Sequence, residues 1–324
     1  MSNPQIDDTD SRIISLLEED GRRSNRDIAR ILGITEKQVG ARIRRLLQQD
    51  VMRIVAVVDV FAAGFEFMMT AGVRVDNRPA TEVAQQLAEF PEVLSVLLMS
   101  GPYDIEIVLV ARDYPALAQF VQERLCLVKG IRSITPSLRL QVFKFETGMA
   151  PIVDHASDTV PFPESSDLDA IDQGIIRCLW ENPRATNQDI ALRLRSSEST
   201  VRMRIADMRR RNVLRITAVN NLGVGEGRLF AFVGIGLDGA HHAAVAEQLC
   251  AMRAVRFVAA VLGRYDMLAM VLVDSAAQLV EFAYQRIATI RGVRSVELAQ
   301  ALRFVKYDYR WTLIRPKRLG RTRG

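Results

Sequence analysis

Between Ile6 and Leu47, apolar residues recur in three short groups at helical spacing. Ile13, Ile14, Leu16 and Leu17 mark a first helix behind Asp8 and Asp10. Ser24, with Asp27 three residues on, opens a second. The hydroxyl accepts from a free first-turn amide, and the carboxylate favours the positive helix end. This helix carries Ile28, Ile31 and Leu32, and Gly33 stops it. Thr35 and Gln38 cap a third helix, whose Val39, Ile43, Leu46 and Leu47 form one stripe. A short helix, a glycine turn and a capped helix predict a helix-turn-helix.

The period then changes. Arg53–Phe61 and Phe67–Val75 are rich in β-branched residues, and a helix runs from Pro79 through Phe90. Val93–Met99 and Tyr103–Ala111 flank Gly101-Pro102, a hairpin signal. A helix over Tyr114–Val128 ends at Gly130, before a strand Ile131–Phe145. The order β-α-β-β-α-β predicts a ferredoxin-like sheet with both helices on one face. Alternation sends Ile105, Ile107 and Leu109 toward those helices and Asp104, Glu106 and Val108 away from them.

The whole pattern repeats. Aligning Ile6 with Leu168 sets an offset of 162 residues that holds without a gap to Phe145 and Tyr307. Asp27-Ile28-Ala29 meets Asp189-Ile190-Ala191, Arg42-Ile43 meets Arg204-Ile205, and Gly101-x-Tyr103-Asp104 meets Gly263-x-Tyr265-Asp266. The predicted class is α+β, two repeats of a winged helix-turn-helix followed by a ferredoxin-like βαββαβ domain. The helix-turn-helix units span 1–61 and 168–223, and the βαββαβ domains 62–147 and 224–310. Residues 148–167, rich in Pro, Ser and Asp, read as a linker that leaves the placement of the units open, and 311–324 as a basic tail.

In the second copy Asp266, Leu268, Met270 and Leu272 face away from the helices, as Asp104, Glu106 and Val108 do in the first. Most of these positions are apolar, so that sheet face is expected to pack on another copy. Glu106, where the repeat has Leu268, is the mismatch. It reads first as a solvated edge residue, and second as part of a polar pocket between unlike units.

Charge matters through its placement. The chain has 43 Lys and Arg against 38 Asp and Glu, a net charge of only +5. Much of that excess falls on the third helix of each copy. The first carries Lys37, Arg42, Arg44 and Arg45 against Glu36 alone. The second carries Arg202, Arg204, Arg209, Arg210 and Arg211 against Glu198 and Asp207. A basic helix in this position suits the major groove of double-stranded DNA, with Lys37, Gln38 and Arg42 toward base edges and the other arginines on phosphates. The second copy replaces Gly33 by Arg195 and shifts its arginines toward the helix end, so the first copy is expected to be the better reader.

The three cysteines, Cys126, Cys178 and Cys250, have no metal or redox spacing and read as small core residues. No phosphate-binding glycine loop or catalytic cluster stands out, and no cofactor or metal is expected. The polar N-terminus and the charged interruptions of apolar runs predict a cytoplasmic protein without membrane contact.

The order and spacing of these motifs resemble the Lrp/AsnC family of feast/famine transcription regulators over 6–145 and 168–310. The resemblance implies a RAM-type sensor domain and self-association through its sheets, here as an intrachain pseudo-dimer or a homodimer. It also implies a small effector, commonly an amino acid, bound near Ser100, Gly101, Tyr103 and Asp104 and near Gly263, Tyr265 and Asp266. Ser133 and Thr135 are further candidates on the last strand. The bland alternative is that Gly-x-Tyr-Asp only shapes a hairpin and a contact between copies. The copies differ at Pro102 versus Arg264 and at Thr135 versus Glu297, so the two sites would not treat one ligand alike.

Two other classes compete. The sirohaem decarboxylases resemble the same two-part fold, but His155, His241 and His242 all lie away from the Gly-x-Tyr-Asp turns. An assembly protein that no longer reads DNA gains support only from the altered second turn.

Overall fold

The computed structural model describes residues 6–146, 149–150, 159–164, 166–221, 229–239 and 241–314. Copy 1 runs α1 (Asp8–Glu19), α2 (Asn25–Leu32), α3 (Glu36–Gln48), β1 (Met52–Asp59), β2 (Phe67–Val75), α4 (Ala80–Ala88), β3 (Val93–Ser100), β4 (Ile105–Ala111), α5 (Tyr114–Glu123), β5 (Ile131–Phe145) and β6 (Met149–Ala150). Copy 2 repeats it as α6 (Ala170–Glu181), α7 (Asn187–Leu194), α8 (Glu198–Arg210), β7 (Leu214–Asn221), β8 (Leu229–Leu237), α9 (His242–Ala251), β9 (Val255–Gly263), β10 (Met267–Val273), α10 (Ala276–Glu281), β11 (Val293–Tyr307) and β12 (Trp311–Thr312).

The caps form as the sequence predicts. Ser24 Oγ accepts from the Asp27 amide at 3.0 Å, and Thr35 and Gln38 form a reciprocal capping box. Gly33 ends α2 at φ +71°. Arg195 takes the same left-handed turn at φ +52°, a conformation that costs a residue with a Cβ. Helix α5 stops at Glu123, short of the predicted Val128, and a tighter turn over Leu125–Leu127 follows.

Each ferredoxin-like sheet has its expected order, β3-β4-β2-β5 and β9-β10-β8-β11, and the two close on each other. Antiparallel pairing of β5 with β9 (Ser137 opposite Gly263) and of β11 with β3 (Gln300 opposite Ser100) makes one eight-stranded barrel. The helices lie outside. Ile105, Ile107 and Leu109 pack with Val83, Leu87 and Phe120 of α4 and α5. Leu97, Val108, Phe232, Phe257 and Leu268 fill the inside.

A second, four-stranded sheet, β12-β1-β7-β6, joins the units differently. β1 pairs antiparallel with β7, β6 of copy 1 lies parallel to β7, and β12 of copy 2 lies parallel to β1. The last strand of each copy thus extends the other copy. Two lysines repeat the exchange, Lys306 buried and Lys144 half-buried. Lys306 Nζ donates to the Phe90 carbonyl beyond α4 at 2.9 Å, and Lys144 Nζ to the Cys250 carbonyl of α9 at 3.2 Å.

Three further expectations change. Trp311 and Leu313, read as the start of the tail, are buried, because Trp311 packs edge-on against Phe65 at 5.1 Å; residues 315–324 lie outside the described residues. Part of the linker is also fixed. Phe162 stacks on Trp180 at 5.6 Å, and Trp311 Nε1 donates to Thr159 Oγ1 at 2.7 Å, while 147–148, 151–158 and 165 lie outside the described residues. Glu106 is not a solvated edge residue. It is 4% exposed inside the barrel, because both sheet edges beside it are paired.

Two outcomes follow from these environments. Arg195→Gly should stabilise the chain by about 1 kcal/mol, read as a higher urea midpoint. Burial pushes the Glu106 carboxyl up to about 8, with Arg139 pulling the other way. Its protonated form therefore contributes stability that is fully present below the ordinary carboxylate range and lost as pH rises through about 8. Glu106→Leu should flatten that decline in melts from pH 5 to 9, and an unchanged slope would refute it.

Candidate nucleic-acid interface and effector site

The basic helices divide their arginines between two tasks. Arg42 Nη1 donates to Asp7 at 2.6 Å and to Asp10 at 2.8 Å, and Arg45 also pairs with Asp10, which is fully buried. The Arg42 hydrogen bond holds the Asp7 carboxyl below its usual range. Copy 2 repeats the arrangement, with Arg204 on Asp169 at 2.9 Å and on Asp172 at 3.4 Å. These arginines tie each third helix to the start of the first, a role that the basic-face reading did not foresee. The signal was present in the acidic first turns of α1 and α6, repeated at the same offset.

Other positions differ. Arg209 reaches Asp20 of the other copy at 3.2 Å, and Arg210 pairs with Asp207 on its own helix. Gln38 spends its amide oxygen on the Thr35 cap at 2.9 Å. Lys37, Arg44 and Arg202 are exposed, and among the described residues they form no ion pair.

The two helix-turn-helix units bind each other reciprocally. Arg22 donates to the Ala185 carbonyl at 2.6 Å and to Asn187 Oδ1 at 3.1 Å. Its counterpart Arg184 donates to the Arg23 carbonyl at 3.2 Å. Burial lowers the pKa of both guanidinium groups. Between the units lies a cleft of about 500 Å³, lined by Asn25, Asn187 and the first residues of the third helices, Glu36 and Glu198. Charge alone did not reveal Arg22 and Arg184 as coupling residues.

At the barrel seam the Gly-x-Tyr-Asp turns have a structural task. A Cβ on Gly101 would lie 2.7 Å from the Leu298 carbonyl oxygen, and one on Gly263 2.5 Å from that of Pro136, so each turn meets the other copy's last strand. Asp104 accepts from the Val75 amide at 2.8 Å, and Asp266 from the Leu237 amide at 2.7 Å. The rings of Tyr103 and Tyr265 lie against Gly72 and Gly234, where no side chain would fit.

The turns are unequal above this frame. Arg264 binds Glu297 through two nitrogens, at 3.1 and 2.9 Å, and Tyr265 donates to Glu297 at 2.9 Å. Burial, then this bond, pushes the Tyr265 hydroxyl pKa up. Copy 1 has Pro102 and Thr135 at those places, so Ser100, Gly101 and the exposed Ser133 border a turn without such a pair.

The AsnC-type helix-turn-helix domain matches residues 6–47 and 168–209, and the Lrp/AsnC ligand binding domain matches 69–149. A C-terminal dimeric alpha+beta barrel domain matches 240–314. An HTH-type transcriptional regulator of Pyrococcus furiosus is 35% identical over 141 residues, 43% of this chain and 95% of its own length. The regulator LrpA of Pyrococcus abyssi is 30% identical over 142 residues, 43% of this chain and 99% of its own. Among solved structures, the siroheme decarboxylase NirDL superimposes over 93% of this chain and 94% of its own with a TM-score of 0.66. Identity there is 17%, so that likeness shows the fold alone. No helix among the described residues is long and apolar enough to cross a membrane.

Asp10→Ala should leave Arg42 and Arg45 without their buried partner and destabilise the first helix-turn-helix by about 3 kcal/mol, measured by denaturant unfolding. A loss below about 0.5 kcal/mol would place those pairs with ordinary surface bridges.

Proposed function

The chain belongs to the Lrp/AsnC family of transcriptional regulators, and we propose that it binds duplex DNA with both helix-turn-helix units of one chain under control of a small effector. The observation that carries this reading is the reciprocal Arg22 and Arg184 bonding. It holds two reading units in one frame, the arrangement that separate subunits supply in a dimer. Lys37, Arg44 and Arg202 are the exposed cations left for phosphates and bases, with Gln38 offering its amide nitrogen. Arg42, Arg45 and Arg204 act by positioning the helices.

The effector belongs at the copy 1 turn. Ser100, Gly101, Tyr103, Asp104 and Ser133 are the residues that would contribute, and an amino acid is the matching chemistry, with the glycine allowing close approach to the backbone. At Gly263, Tyr265 and Asp266 the Arg264–Glu297 pair already holds that place. One chain therefore takes one effector at its turns.

The fold shared with NirDL across both copies motivates a second reading, a tetrapyrrole-binding enzyme. His241, which lies against Gly292, and His242, which starts α9, are not at either turn, and His155 lies outside the described residues.

Selection of bound fragments from random duplex DNA, followed by anisotropy titration across salt, separates the readings. Lys37→Ala, Arg44→Ala and Arg202→Ala should each lower the slope of log affinity against log salt by about 1. No duplex binding at low salt, together with saturable sirohaem binding, would replace the regulator by the enzyme.

A further inference from the structure

The inside of the barrel is chemically lopsided. Thr70, Ser95, Glu106 and Arg139 have as their equivalents Phe232, Phe257, Leu268 and Ala301. Tyr307 has Phe145. Because β11 runs beside β3, Tyr307 sits opposite Ser95 on one seam, while Phe145 sits opposite Phe257 on the other. The closed barrel thus gathers its polar residues on one side of an apolar chamber.

That side borders a cavity of about 80 Å³ at the barrel mouth. Ser95, Arg139, Tyr307 and Trp311 line it together with an apolar wall that includes Leu97 and Phe304. Arg139 donates to Thr70 Oγ1 at 3.0 Å and to Met68 Sδ at 3.0 Å, and its guanidinium lies 5.0 Å from the centre of the Phe257 ring. Its Nε has no acceptor, and Glu106 Oε1 has no donor. No carboxylate among the described residues forms an ion pair with Arg139. The other charges at the mouth are engaged, Arg256 with Glu146 and Asp308 with Arg310. Each terminal nitrogen of the half-buried Arg139 guanidinium makes one of these bonds, and a cation that lines a cavity without a carboxylate partner is a site for an anion.

We propose that this cavity is a ligand site, separate from the Gly-x-Tyr-Asp turns, that takes a short-chain monocarboxylate with its carboxylate on Arg139 and its alkyl body on the apolar wall. A single uncompensated cation selects a monoanion. The volume is about half the ~150 Å³ that accommodates benzene, which sets the acid at about two to four carbons. Burial raises the Glu106 carboxyl pKa, which favours its uncharged form and lessens its repulsion of an anion. The site does not rest on the DNA-binding reading and stands or falls independently of it.

The chain's two tryptophans report on it directly, since Trp311 lines the cavity and lies 5.5 Å from Trp180. Propionate should change their fluorescence saturably in the full chain, whereas 1-propanol and propylamine, of similar size and shape, should not. Arg139→Met should weaken propionate binding at least about tenfold, the loss expected for a charge-assisted bond. Ser95→Phe, which installs the residue of the symmetry-related position, should abolish it with Arg139 still present, so the two variants fail for different reasons. Equal responses to propionate and propanol, undiminished binding in a folded Arg139→Met chain, or no response of the wild-type chain would each overturn the proposal.

Discussion

The rest of the structure depends on closing two open sheets into one barrel. A ferredoxin-like sheet alone has two unpaired edges and one uncovered apolar face, both invitations to associate. Pairing β5 with β9 and β11 with β3 satisfies the edges, and the closed barrel turns the uncovered faces inward. Gly101 and Gly263 set how closely the seams approach, since a side chain on either would strike a carbonyl of the other copy. Where two chains could make such a contact, here one chain makes it without a concentration-dependent step.

Closure also explains the exchange of end segments. Each long last strand crosses the seam and continues past it, delivering β6 to β7 and β12 to β1. The helix-turn-helix units are thereby tied to the barrel from both sides, and the bonds of Arg22 and Arg184 add a direct link between them. The third helices are linked to the seam through strands that are covalently continuous with it.

Local signals were legible in the sequence, and relations across the pseudo-twofold were not. Ser24, Thr35 and Gly33 announce their caps because capping is decided within a few residues. The inward side of β4 follows from alternation alone. Glu106 reads from sequence first as a solvated edge residue, because its burial depends on which strands stand beside it after closure. Arg42 and Arg204 look like free cations in a helix-face count, since their partners Asp10 and Asp172 are about thirty residues away. Trp311 and Phe162 lie in stretches with no apolar period, and a cluster of aromatic contacts with Phe65 and Trp180 fixes them.

Two fused copies need not stay equal, and the differences fall where symmetry would otherwise force both halves to do the same thing. In a homodimer, an arginine at position 139 would appear twice in one barrel, and two buried cations in a single chamber would repel. Fusion permits Ala301 where the first copy has Arg139 and Leu268 where it has Glu106, giving one charge and one site. The same freedom lets Arg264 and Glu297 pair at one turn, where the first copy has Pro102 and Thr135. It also lets Arg195 carry a turn that Gly33 makes without strain. Covalent linkage makes such asymmetry heritable, because each half is under its own sequence, whereas one gene for two identical subunits cannot specify it.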